Sequence, residues 1–320
     1  MRNVGERINA FFSNNMIFFM LAAMVIGWRF SDQFGIYRDL VPWMFGYMTL
    51  VTAIKTSWKD LKIIFSRPLP LLSILVLQHL LMPFFAKFLG HLGFPNQPAL
   101  ITGFVLAAAL PVGITAVIWS GMAKGDVALS LTAATLDTLI SPVIVSLVLL
   151  AFIGETVEVN YGAIMSGLLK MIVIPSIIGL SIHDLSKGTF HPKFIPYLGP
   201  VSSVCLCGVI VVNVATAKTT ASNLVNAAPM LLVFTFALVS SGFILGWAIS
   251  SLFKFSKSIQ TACVYSFGIR NTSCGLVIAL GHLPIEASIP LLIAMFFQQP
   301  LAALSQKLFL YRLTVDELSD

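Results

Sequence analysis

Apolar runs long enough to cross a bilayer, parted by short polar links, fill almost the whole of this sequence. They fall at about 14–33, 40–56, 69–90, 98–122, 126–153, 160–182, 194–216, 225–252, 258–281 and 285–310. A span needs roughly 20 apolar residues, so the pattern predicts an all-α membrane protein of ten transmembrane helices. Turn chemistry or charge separates the runs at Arg67-Pro68, Phe94-Pro95-Asn96, Lys124-Gly125-Asp126, Glu155 to Asn160, Lys187-Gly188 and Lys254 to Lys257. With 58% hydrophobic and 10% charged residues among 320, a water-soluble domain would expose far more apolar surface than one core can hide. Barrel strands would alternate rather than run. The run from Met16 to Trp28 has no small-residue cleavage site and reads as a retained first span.

The net charge of +6 does not imply a nucleic-acid partner, because the basic residues sit in small groups between spans, as orientation signals do. With the amino terminus cytoplasmic, inside segments hold Arg2, Arg7, Lys55, Lys59, Lys62, Arg67, Lys124, Lys187, Lys193, Lys254, Lys257, Lys307 and Arg312. Outside fall only Arg29, Arg38, Lys87 and Lys218. Both termini are therefore expected in the cytoplasm. The four cysteines, Cys205, Cys207, Cys263 and Cys274, lie in apolar runs without zinc-like spacing and read as small hydrophobes. No metal and no cofactor is expected.

The chain divides near Glu155 into five spans and five. An odd number inserts two similar halves in opposite senses, which predicts an inverted repeat of 1–153 and 154–320. Span four is interrupted by Pro111-Val112-Gly113 and span nine by Gly268-Ile269-Arg270-Asn271. Proline removes a helix donor and glycine loosens the backbone. Matched interruptions in the two halves point to a transport site at mid-membrane.

Three ionisable residues lie deep in spans: Asp137, Lys170 and Arg270. Each is costly against lipid and should meet a partner or a wet cavity. Asp137, eleven residues after Asp126, lies roughly 16 Å along its helix, on one face with Ser130 and Ala134. Asp137 and Arg270 are expected to pair. Lys170 has a stem long enough to snorkel, and His79 reads as a satisfied buried histidine rather than a functional one. Gln78, Asn271, Thr272, Ser273, Gln298 and Gln299 add polar groups at membrane depth; amides there need partners or a ligand.

Leu110-Pro111-Val112-Gly113, then Ala123-Lys124-Gly125-Asp126-Val127-Ala128-Leu129-Ser130 and Ser141-Pro142, resemble the bile acid:sodium symporter family. Gly268-x-x-Asn271 and the Lys170, Pro175, Gly179 pattern support the resemblance, which covers essentially the whole chain. It implies crossed, discontinuous helices four and nine, with a panel domain of spans 1, 2, 6 and 7 and a core domain of spans 3–5 and 8–10. The family's sodium ligands are mostly lost here. Its Ser-Asn pair falls on Ala116 and Val117, its second hydroxyl of span five on Ala134, and its glutamate and glutamine of span nine on Ser266 and Arg270. Ser130 and Gln78 match.

The resemblance and the charges together lead to a secondary transporter that moves a small organic anion across a bacterial inner (plasma) membrane by alternating access, independently of sodium. Arg270 stands in for the bound cations. Transport is expected to be proton-coupled or facilitative; if proton-coupled, Asp137 is the expected switch, with Ser130, Gln78 and Ser266 around the coupling site. Arg270, Asn271, Gln298, Gln299 and Thr115 are the expected substrate ligands. Two other readings remain open: a sodium-coupled symporter whose ligands have moved to Asp137, Ser130 and Thr115, and a receptor or structural protein that keeps the fold without transport. An enzyme is not expected, since no intramembrane His-Glu-x-x-His, Gly-x-Ser-x-Gly or phosphate-binding loop is present.

Overall fold

A computed structural model describes residues 11, 15–59, 68–154, 157, 159–221 and 227–306. Arg2, Arg7, Lys62, Arg67, Glu155, Lys307 and Arg312 lie outside the described residues. Helices follow the apolar runs: α1 Met16–Arg29, α2 Val41–Ala53, α3 Pro68–Gly93, α4 Pro98–Ala109, α5 Thr115–Met122 and α6 Val127–Ile153. The chain continues through α7 Tyr161–Leu185, α8 Phe190–Ala221, α9 Ala228–Leu252, α10 Lys257–Gly268, α11 Thr272–His282 and α12 Ser288–Ser305. Short turns of helix at Ser31–Phe34, Gly35–Leu40 and Ile285–Ala287 join them. No sheet forms among the described residues; the exception to helix is one isolated bridge, described below.

Among the described residues, six helical segments are each long and apolar enough to cross a membrane: Pro68–Gly93, Val127–Ile153, Tyr161–Leu185, Pro196–Lys218, Ala228–Leu252 and Ile285–Ser305. The other four expected spans are built differently. α1 and α2 have 14 and 13 residues, and spans four and nine are each two helices, α4 with α5 and α10 with α11. Lipid offers the backbone no hydrogen bonds, so an interrupted span must find partners inside the protein.

The chain forms two compact units, 1–60 with 163–223 and 61–162 with 224–320. In the first, α8 packs on α1 and α2, and α7 packs on α2. Tyr47 donates its hydroxyl to the carbonyl of Leu198 at 3.2 Å, and Nδ1 of His183 donates to the carbonyl of Ile54 at 2.8 Å. Lys170 lies in a π-turn, Leu169–Val173, and is exposed.

The second unit holds the interrupted spans at its centre. Leu100 through Ala109 of α4 and Thr261 through Gly268 of α10 are buried without a gap. Both segments are accordingly apolar or small on every side, as fully enclosed helices are. α9 reaches α10 through Gly242 and Gly246, one turn apart. A Cβ at Gly242 would stand 2.6 Å from the Phe267 carbonyl oxygen, and one at Gly246 2.8 Å from that of Cys263. This small-xxx-small pair lets the two backbones approach closely, which is how helices associate in lipid.

Candidate functional site

Where α4 ends, Leu110 turns extended, and Pro111, Val112 and Gly113 run buried to the start of α5. Where α10 ends, Ile269 turns extended and Arg270 and Asn271 lead into α11. The two breaks lie antiparallel, with Val112 opposite Arg270. Gly113 N donates to Ile269 O and Asn271 N donates to Pro111 O, both at 2.9 Å. Proline serves here because its position in the pair only accepts. Gly113 is needed because a Cβ would lie 3.0 Å from the Arg270 carbonyl oxygen. Each break thus satisfies part of the other's backbone, as burial requires.

Val112 N points away from the pair and finds Asp137 Oδ2 at 2.8 Å. Gln78 Nε2 donates to the same oxygen at 2.9 Å, and His79 Nε2 lies 2.6 Å from Oδ1. Asp137 and Gln78 are completely buried and His79 nearly so. A π-turn, Ser73–Leu77, immediately precedes Gln78 in α3. Its wider winding shifts the register of the residues that follow, a feature common at functional sites.

Asp137 and Arg270 do not form the direct pair expected from the sequence: no ion pair joins them within 4.0 Å, and His79 takes the carboxylate instead. The cause is directional. α6 presents Asp137 to α3 and to Val112, whereas Arg270 sends Nη1 to the carbonyl of Leu110 at 3.4 Å. Nε and Nη2 of Arg270 are buried without a hydrogen-bond partner, and the residue is 7% exposed. Arg270 lies on the wall of a cavity of about 20 Å³, where Thr272 and Gln298 are the other polar side chains.

The remaining expected ligands divide. Gln298 is buried on that cavity wall. Asn271 caps α11, its Oδ1 accepting from Cys274 N at 3.3 Å. Gln299 accepts at Oε1 from Trp119 Nε1 at 2.8 Å, and Trp119 stacks on Tyr265. Thr115 opens α5 and is half-buried. Ser130 and Ser266 are completely buried, and their hydroxyls, like Gln78 Oε1 and His79 Nδ1, have no partner. Trp119 was not singled out from the sequence, and His79 was read there as a satisfied buried histidine rather than a functional one. The signal available for His79 was its place beside Gln78 in an apolar span; Trp119 gave none.

Residues 41–224 match the model of the Sodium Bile acid symporter family. The chain is 33% identical over 282 residues, 88% of its length and 92% of the other's, to the uncharacterized protein YbaS of Bacillus subtilis (strain 168). It is 22% identical over 287 residues, 89% of its length and 87% of the other's, to the uncharacterized sodium-dependent transporter YocS of the same organism. Over 260 residues it is 23% identical to the "Probable sodium/metabolite cotransporter BASS2, chloroplastic" of Oryza sativa subsp. japonica, covering 78% of this chain and 60% of that one. With its apolar helices, paired interruptions and a family match over more than half its length, this multi-pass membrane protein belongs to the Sodium Bile acid symporter family, a family of transporters and not of enzymes.

Proposed function

We propose that the protein is a secondary transporter that carries a small organic anion by alternating access, with Arg270 receiving the anion's carboxylate. The observation that carries this is the buried guanidinium beside two paired helix breaks, with Nε and Nη2 unpartnered. Those two N–H groups lie along one edge of the guanidinium and match the two oxygens of a carboxylate. Gln298 adds an amide on the same cavity wall. Asn271 and Gln299 support the site by capping α11 and holding Trp119. In this reading the chain crosses the membrane ten times as two inverted five-span repeats, 1–153 and 154–320, with both termini cytoplasmic. The two compact units are then the panel and the core.

The coupling ion in this reading is the proton, and Asp137 takes it. The carboxylate fixes Val112, which lies opposite Arg270 in the bridge. Protonating Asp137 weakens a charge-assisted bond to the strand that aligns Arg270. Sodium coupling is the second reading, and two facts favour it. YocS is named a sodium-dependent transporter, and Gln78 Oε1, Ser130 Oγ and Ser266 Oγ are buried oxygens without partners. Against it, Ala116 and Ala134 put buried methyl groups where the family resemblance expects ligands. The carboxylate of Asp137 already accepts from Gln78 and Val112 and meets His79.

Reconstituted protein should show counterflow of small organic acids that ignores sodium and follows an inward proton gradient. Arg270→Ala should abolish it, and Asp137→Asn should make the remaining rate independent of pH. Counterflow that requires sodium would establish the second reading; undiminished transport by Arg270→Ala would remove the assigned carboxylate site.

A further inference from the structure

A guanidinium keeps its charge when buried, and burying an unpaired charge is so unfavourable that proteins pair it. Among the described residues Arg270 has no acid within 4.0 Å, and its Nη1 contact to Leu110 O is long at 3.4 Å. Asp137 cannot turn to it without releasing Gln78, Val112 and His79. Asp137 acts on Arg270 only through space and shares its charge with His79, so no group among the described residues compensates the guanidinium by contact, and an anion from solution is the ligand that would. The space beside Arg270 limits what that can be. At about 20 Å³, the cavity takes one occupant the size of a water molecule, too small for an organic metabolite in this conformation. Apart from Arg270, Thr272 and Gln298, its wall is apolar or glycine, including Ala107, Ala108 and Ala294. A lone water would satisfy N–H groups and leave the charge.

We propose that Arg270, with Thr272 and Gln298, forms a resident site for a halide-sized monoanion, chloride under ordinary conditions, in the interior of the second unit. The ion neutralises Arg270 when no carboxylate is present. Because a substrate's carboxylate would claim the same edge of the guanidinium, chloride and carboxylate compete. The site itself goes beyond the transport reading and stands if no organic acid is carried.

The test is thermal unfolding of the purified, detergent-solubilised protein at fixed sodium and ionic strength, with gluconate replaced stepwise by chloride or bromide. The unfolding midpoint of the wild type should rise and saturate with either halide, while Arg270→Gln should show no halide response. Gln298→Leu should need about tenfold more chloride for half the effect, the worth of one hydrogen bond to a charge. Equal midpoints in chloride and gluconate for the wild type would overturn the site, as would an undiminished halide response in Arg270→Gln. If Arg270→Gln does not fold, the wild-type comparison and Gln298→Leu decide, an unshifted chloride requirement in the latter counting against the site. Carboxylate counterflow that is lost in Arg270→Ala, together with a wild type indifferent to halide, would sink this inference and leave the transport reading intact. A halide response without carboxylate counterflow would do the reverse.

Discussion

At the scale of single residues, Asp137 organises the interior of the second unit. Its carboxylate takes Val112 N and Gln78 Nε2 on one oxygen and meets His79 on the other. Removing one partner leaves a buried charge under-satisfied, while removing the carboxylate orphans its donors. His79→Ala should therefore lower unfolding stability in detergent by about 3 kcal/mol, with Asp137→Ala at least as damaging; a His79→Ala protein that unfolds like the wild type would show that the pair is dispensable. Asn271 belongs to the same scale. Its side chain caps α11, so Asn271→Ala should cost about 1 kcal/mol, read as a lower unfolding midpoint.

Among the elements, the close approach of α9 and α10 rests on Gly242 and Gly246, where any side chain would strike the α10 backbone. Gly246→Val should destabilise by about 1–3 kcal/mol, the usual result of overpacking, and a neutral outcome in thermal unfolding would show that the helices can part there. The turns after α5, α7 and α9 share a different device. Lys124, Lys187 and Lys254 follow their helices with φ of 57°, 51° and 50°, a region glycine enters more easily. The strain is accepted where a cation complements the helix carboxyl end. Lys254→Gly should accordingly stabilise the turn by a few tenths to about 1 kcal/mol, seen as a higher midpoint.

Across the whole molecule, orientation is the property that the distribution of Lys and Arg argues for most directly. With the four native cysteines replaced by alanine, Lys124→Cys and Lys254→Cys should react with an impermeant thiol reagent only from the cytoplasmic side. Lys218→Cys should react only from the opposite side; the reverse pattern would invert the topology. The helical runs were legible in the sequence because transfer from water to lipid is set by composition over about twenty residues, and six helical segments among the described residues are long and apolar enough to cross a membrane. The two interruptions were legible too, since Pro111 and the glycines of both breaks act locally on the backbone.

What the sequence determined alone was therefore the part of the fold fixed by solvent and by local backbone chemistry: an all-helical membrane chain with paired helix breaks at Pro111–Gly113 and Gly268–Asn271. It also marked Asp137 and Arg270 as the costly interior charges. The tertiary structure decided their partners. His79 lies 58 residues from Asp137 in the chain and Val112 lies 25 away, and such pairings depend on helix rotation and on the π-turn before Gln78. Opposite charges at equal depth attract at any separation, but a hydrogen bond needs direction and contact. That requirement gave Asp137 to His79 and left the edge of Arg270 without a partner among the described residues.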